Sequence, residues 1–176
     1  MEVLYIVLAL VALLVVYFIV TRNKFMKLGI KIDEAMSGID VQLEKRYDVL
    51  TKLYDLVKKH MAYEEGTLEK IIKLRSGSIV EKQEASEMMD GLLKNINMTF
   101  EQYPNLRASE SFASLEQAVS ETEEHLSAAR RLYNSNVSIY NQSIVIFPNS
   151  IVSNMMGLTK KEFFQVNEAK KEVSFN

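Results

Sequence analysis

Residues 112–147 read FASLEQAVSETEEHLSAARRLYNSNVSIYNQSIVIF. Phe112, Val119, Leu126, Tyr133, Tyr140 and Phe147 recur every seven residues. A second seam of Leu115, Thr122, Ala129, Asn136 and Ser143 runs beside them, and Ile139, Ile144 and Ile146 widen the face. A heptad repeat turns one stripe of a helix toward neighbouring helices. Half of the second seam is polar, which suits packing within one chain better than a free-standing coiled coil.

The flanking sequence supplies the neighbours. Upstream, Ser76-Gly77-Ser78 is a loop, and Ser78 with Glu81 makes a capping box for a helix reaching about Gln102. Its apolar stripe is Ala85, Met89, Leu92, Ile96, Phe100 and Tyr103, and Pro104 stops it. Before that loop, residues 33–75 carry Ile39, Leu43, Leu50, Tyr54, Val57, Leu68 and Ile71 at steps dominated by three and four. Gly38 and Gly66 are the soft points of this segment. Downstream, Pro148 opens a short helix that Gly157 ends, and Thr159 with Glu162 caps a last one starting at Phe163-Phe164. At ~1.5 Å per residue the first and third helices are ~60 Å long and the second only ~35 Å. Either the first breaks near Gly66, or residues 148–171 fold back on the third, or another subunit covers the surplus apolar face; fold-back is the preferred solution. The expected fold is all-α: an N-terminal transmembrane helix, then an elongated antiparallel up-and-down bundle of three long helices plus short C-terminal ones, four-helix-bundle-like. The expected divisions are an anchor over 1–21, the bundle over 22–171 and a mobile tail over 172–176.

The anchor is residues 3–20, VLYIVLALVALLVVYFIV, without charge, Gly or Pro. At ~1.5 Å per residue the run covers ~27 Å, close to the hydrocarbon thickness of a bilayer. Val3, Tyr5, Leu10, Tyr17 and Val20 mark its length, with the tyrosines near the two interfaces. No basic residue precedes it and no small-residue cleavage site ends it, so it reads as an anchor and not a signal peptide. Arg22, Lys24, Lys27 and Lys31 all follow it. This basic collar places the N-terminus outside and the C-terminal body in the cytoplasm.

Composition excludes several function classes. With 21 Lys and Arg against 23 Asp and Glu, the net charge of −2 argues against a nucleic-acid partner. Cysteine is absent, which removes disulfides, thiolate metal sites and a Cys nucleophile. No paired carboxylates, Ser-His-Asp arrangement or phosphate loop can be assembled. No cofactor is expected.

Ile39-Asp40-Val41-Gln42-Leu43, followed by Arg46-Tyr47-Asp48, closely resembles the signature of LemA proteins. Further matches follow in order: His60 to Glu65, Leu74-Arg75, Tyr103-Pro104, Phe112 with Leu115, Arg130, Tyr133-Asn134, Tyr140-Asn141, Phe147-Pro148 and Gly157 with Phe163-Phe164. The chain departs from the pattern at Met36, where the family often has Trp, and near Thr51, where it often has Pro. The resemblance implies a single-pass protein of a bacterial plasma or inner membrane with a helical-bundle body, and brings no established enzyme activity.

Two constellations are candidate sites. His60 and Glu64 lie one helical turn apart, a spacing that can put two metal ligands on one face. No third ligand accompanies them, and a solvated helix face accounts for the pair more simply. Arg130, Asn134 and Asn141 share a face of the third helix. With Asp40, Arg46 and Asp48 they form a candidate polar network. It is either a recognition strip for a partner or, preferably, an interhelical tie in which Arg130 pairs with Asp40 or Asp48. Buried arginine and asparagine set register when their partners offset the desolvation. Most methionines read as core fillers, with Met155-Met156 as the exception on a short exposed segment.

The expected function is a membrane-anchored, non-catalytic helical scaffold. Its partners are the lipid bilayer and other membrane-associated proteins, with self-association as a second reading in the same class. The alternatives are a metal-dependent or hydrolytic enzyme using His60 and Glu64, and a sensor of anionic membrane surfaces using the collar.

Overall fold

The computed structural model describes residues 1–60 and 66–165. Among these the chain forms six helices and no strand: α1 (Glu2–Val57), α2 (Gly66–Arg75), α3 (Ile79–Gln102), α4 (Pro104–Arg107), α5 (Glu110–Val145) and α6 (Asn149–Met155). The apolar run and the first bundle helix are one continuous α1, which passes through Gly38 without a break. Thr51 is helical too, and its hydroxyl donates to the Tyr47 carbonyl at 2.9 Å.

The segment over 33–75 is two helices, so the break near Gly66, one of the three solutions named, occurs alongside the preferred fold-back. α1 ends at Val57, and α2 begins at Gly66. The break brings Ile71 into a core with Leu50, Leu53, Val57, Met89, Leu92 and Ile96, where it is fully buried. A straight continuation would have carried Ile71 beyond that core and lost the burial of an Ile side chain, about 2 kcal/mol.

Two units are resolved. One is built on Ser37–Arg131 and includes Phe164. Within it, Lys82 donates to Asp40 at 2.6 Å and Arg46 to Asp90 at 2.5 Å, so α3 runs parallel to α1. α2 runs against α3, with Lys70 paired to Glu84 at 2.8 Å. α5 returns antiparallel to α3, packing Phe112 on Phe100 with ring centroids 4.1 Å apart. The four helices alternate in direction, as in an up-and-down bundle. The capping box holds α3 as expected: Ser78 N–H donates to Glu81 Oε2 at 2.7 Å and Glu81 N–H to Ser78 Oγ at 3.4 Å.

The other unit joins Met1–Met36 to Leu132–Phe163. Here α1 and α5 are antiparallel. Asn136 Nδ2 donates to the Lys31 carbonyl at 3.0 Å, and Tyr17 OH donates to Asn149 Oδ1 at 2.9 Å. Phe25, Ile32, Tyr133, Val137, Tyr140 and Ile144 are among its buried side chains. The heptad therefore holds at Phe112, Leu126, Tyr133 and Tyr140, is half-buried at Val119, and fails at Phe147, which lies past the end of α5 and is 76% exposed.

The segment after Pro148 folds back on α5. Ser153 Oγ donates to the Ile144 carbonyl at 2.6 Å, and Asn141 both accepts from Lys161 N–H and donates to its carbonyl, at 2.8 and 2.9 Å. Tyr133 OH donates to the Glu162 carbonyl at 3.0 Å. Burial, then Glu162 and Asp33, pushes the Tyr133 hydroxyl above its ordinary pKa, so it remains a donor. The expected last helix is corrected at its start. Residues 158–165 are not helical, because Asn141 and Tyr133 take the backbone groups that a helix would pair internally. The expected bundle end at 171 and the tail over 172–176 lie outside the described residues.

Candidate functional site

Arg46 stands on the buried stripe of α1, between Leu43 and Leu50, where the helical period demands an apolar residue. It is 1% exposed. Its Nη1 donates to the carbonyl and to Oγ of Ser86, both at 3.3 Å. Its Nη2 meets Asp90 and forms an ion pair with Glu123. Arg130, on α5, donates to the same Ser86 Oγ at 2.5 Å and lies over the Phe164 ring, 5.3 Å from its centroid. Two guanidinium groups thus converge on one hydroxyl, balanced by two carboxylates. Burial, then the neighbouring Arg46, lowers the Arg130 pKa, while Glu123 and Asp90 act against that shift. The Arg130 guanidinium stays charged. The arrangement fixes the register of α1, α3 and α5, and its hydroxyl, Ser86 Oγ, accepts from both guanidinium groups.

The other members of the expected network fall elsewhere. Arg130 pairs with Ser86 and not with Asp40 or Asp48. Asp40 accepts from Lys82, whose ammonium also caps the Arg75 carbonyl at the end of α2 at 3.2 Å. Asp48 is exposed. Asn134 is half-buried, and Asn141 holds the fold-back at Lys161. Ser86, Asp90, Glu123 and Lys82 are the participants that sequence reasoning missed. The signal for a buried cation was Arg46 within the apolar stripe, but its partners depend on helix register, which a single stripe does not encode.

His60 is exposed and packs on Tyr103, with ring centroids 4.3 Å apart. Glu64 lies outside the described residues. Among the described residues no group of three His, Cys, Asp or Glu side chains could hold a metal ion.

The apolar run is exposed except at Tyr17 and Phe18, which are half-buried. Val3, Tyr5, Leu10 and Val20 are exposed, and Tyr17 is half-buried through its bond to Asn149. Among the described residues one helix, α1, is long and apolar enough to cross a membrane, and none of its apolar window is buried. Arg22, Lys24, Lys27 and Lys31 are all exposed just beyond it.

The sequence profile of the LemA family matches residues 35–175. The chain is also 28% identical, over 153 residues, to Protein LemA of Metamycoplasma hominis, a match covering 84% of this chain and 70% of the relative.

Proposed function

The chain belongs to the LemA family, and from that premise we propose that it is a single-pass membrane-anchored scaffold with no catalytic role, whose helical body engages other membrane-associated proteins. The observation that carries this reading is the apolar window at the start of α1, none of which is buried. A core helix of a soluble protein would bury such a window, and water would expel it. A removable signal sequence would have no bond to the later chain, whereas Tyr17 is bonded to Asn149. With the basic collar on the body's side of the span, the bundle lies in the cytoplasm of a bacterial cell and the N-terminus outside.

The scaffold reading rests on the chemistry of the body. Its one deeply buried charged cluster is occupied by its own counter-charges among the described residues, and serves helix register. The test is in-cell photo-crosslinking from exposed bundle positions such as Glu116 and Glu124, with the anchor intact. Discrete adducts with membrane-associated proteins are expected. Recovery of uncrosslinked monomer alone from both positions would count decisively against the scaffold.

A further inference from the structure

From Leu132 through Thr159 the chain contains no Asp, Glu, Lys, Arg or His, and Lys160 and Lys161 follow at once. This second charge-free stretch is α5's final part, α6 and the turns on either side of α6. Its end does not hide its apolar groups. Phe147, Ile151 and Met155, spaced four residues apart, are 76%, 54% and 71% exposed. Together with Leu14, Tyr17 and Phe18 of α1 they line an apolar cleft of about 540 Å³.

The register of α1 against α5 gives the depth of this feature. Asn136 faces Lys31 and Asn149 faces Tyr17. Asn141, between them, therefore stands level with the basic collar, and Lys161 is held at Asn141. Lys160 and Lys161 thus join Arg22, Lys24, Lys27 and Lys31 in one basic belt. α6 lies on the far side of that belt, beside the apolar run. At ~1.5 Å per residue, Tyr17 is ~5 Å and Leu14 ~9 Å inside the end of the run at Val20, the depth at which interfacial helices lie.

We infer that residues 145–156 are a second membrane element, a hairpin laid against the span in the upper acyl region of the leaflet next to the body, with acyl chains filling the cleft and covering Phe147, Ile151 and Met155. This inference rests on the reading of residues 3–20 as a membrane span. Hydrocarbon demands that backbone polar groups be paired within the protein. Much of the turn backbone is paired: Ile146 N–H donates to the Gln142 carbonyl, Ser150 N–H to Ile146, Ile151 N–H to Pro148, Met156 N–H to Val152 and Leu158 N–H to Ser153. Its hydroxyl at Ser153 is taken up by the Ile144 and Ser150 carbonyls. The Asn149 side-chain amide accepts from the Tyr17 hydroxyl through its oxygen, and Asn154 is exposed on α6.

The natural chain has no Trp, so an introduced one reports a single place. The full chain is reconstituted in phosphatidylcholine vesicles carrying bromines high or low on the acyl chains, with Ile151→Trp, Met155→Trp, Leu10→Trp and, on the body, Glu116→Trp. The expected result is loss of Ile151→Trp and Met155→Trp emission, strongest with high bromines and unchanged on lipid dilution. Leu10→Trp is quenched most by low bromines, and Glu116→Trp by neither. If Leu10→Trp is quenched while both hairpin tryptophans emit as in water and ignore bromine, the hairpin inference fails and the span stands. If the hairpin tryptophans are shielded from bromine only at high protein-to-lipid ratio, a second copy covers the face and the inference fails. If Leu10→Trp is not quenched, the span reading fails and takes the inference with it.

Discussion

Arg46 is 1% exposed, yet Asp90, the carboxylate it meets at 2.5 Å, is 56% exposed. The cation is sealed in the bundle while its counter-charge stands at the surface. Loss of one acid is then partly made good by water and by Glu123, whereas loss of both strands a buried charge. Asp90→Asn should cost about 1 kcal/mol, and Asp90→Ala with Glu123→Ala about 3–5 kcal/mol. Arg46→Met, which removes the charge and keeps most of the volume, should cost less than the double variant. Urea unfolding followed by circular dichroism on the detergent-solubilised chain checks the order.

Tyr17 and Asn149 make a tie of a different kind, a neutral hydrogen bond across 132 residues of chain. Tyr17→Phe should weaken α6 locally by about 1 kcal/mol and leave the bundle unchanged. Amide hydrogen exchange reads this directly, as faster exchange in residues 149–156 with unaltered protection in α3.

The start of α3 is pH-sensitive. Hydrogen bonds from the backbone and side chain of Ser78 hold the Glu81 carboxyl below its ordinary value of 4.5. A carboxyl whose folded pKa is depressed contributes stability above its unfolded value and loses it as pH falls through the folded one. Acidification below about pH 4.5 should therefore fray residues 78–82 first, as seen by hydrogen exchange. Ser78→Ala should reproduce the fraying at neutral pH, at about 1 kcal/mol. Gly77→Ala should do the same, because its Cβ would collide with the Glu81 carboxylate and come within 2.9 Å of the Glu81 Cβ.

Much of this was legible in the residues. The heptads from Phe112 to Tyr140, the Ser78–Glu81 box, Pro104 and Gly157 each act locally, through period, capping or backbone geometry. Gly157, at a φ of 65°, is the left-handed position that ends the turn after α6. The break after Val57 was less legible. Leu68 and Ile71 stay in phase with the α1 stripe, so periodicity alone cannot distinguish a straight helix from one that folds back. The partners of Arg46 depend on that fold-back, since α2's return is what sets α3 parallel to α1. The last helix was misplaced for a related reason. Thr159 and Glu162 have capping spacing, but Asn141 and Tyr133, far earlier in the chain, take the backbone groups first. The charge-free stretch from Leu132 to Thr159 was visible throughout; its meaning appears only when Asn149 is found beside Tyr17.

The central claim is that residues 3–20 remain part of the chain and cross the membrane with the bundle on the collar's side. The chain has no cysteine, so Glu2→Cys and Glu116→Cys each introduce one thiol. Intact cells are treated with a membrane-impermeant maleimide, before and after permeabilisation. The account predicts labelling of Glu2→Cys in intact cells and of Glu116→Cys only after permeabilisation. Labelling of Glu116→Cys in intact cells, with Glu2→Cys protected, would contradict it.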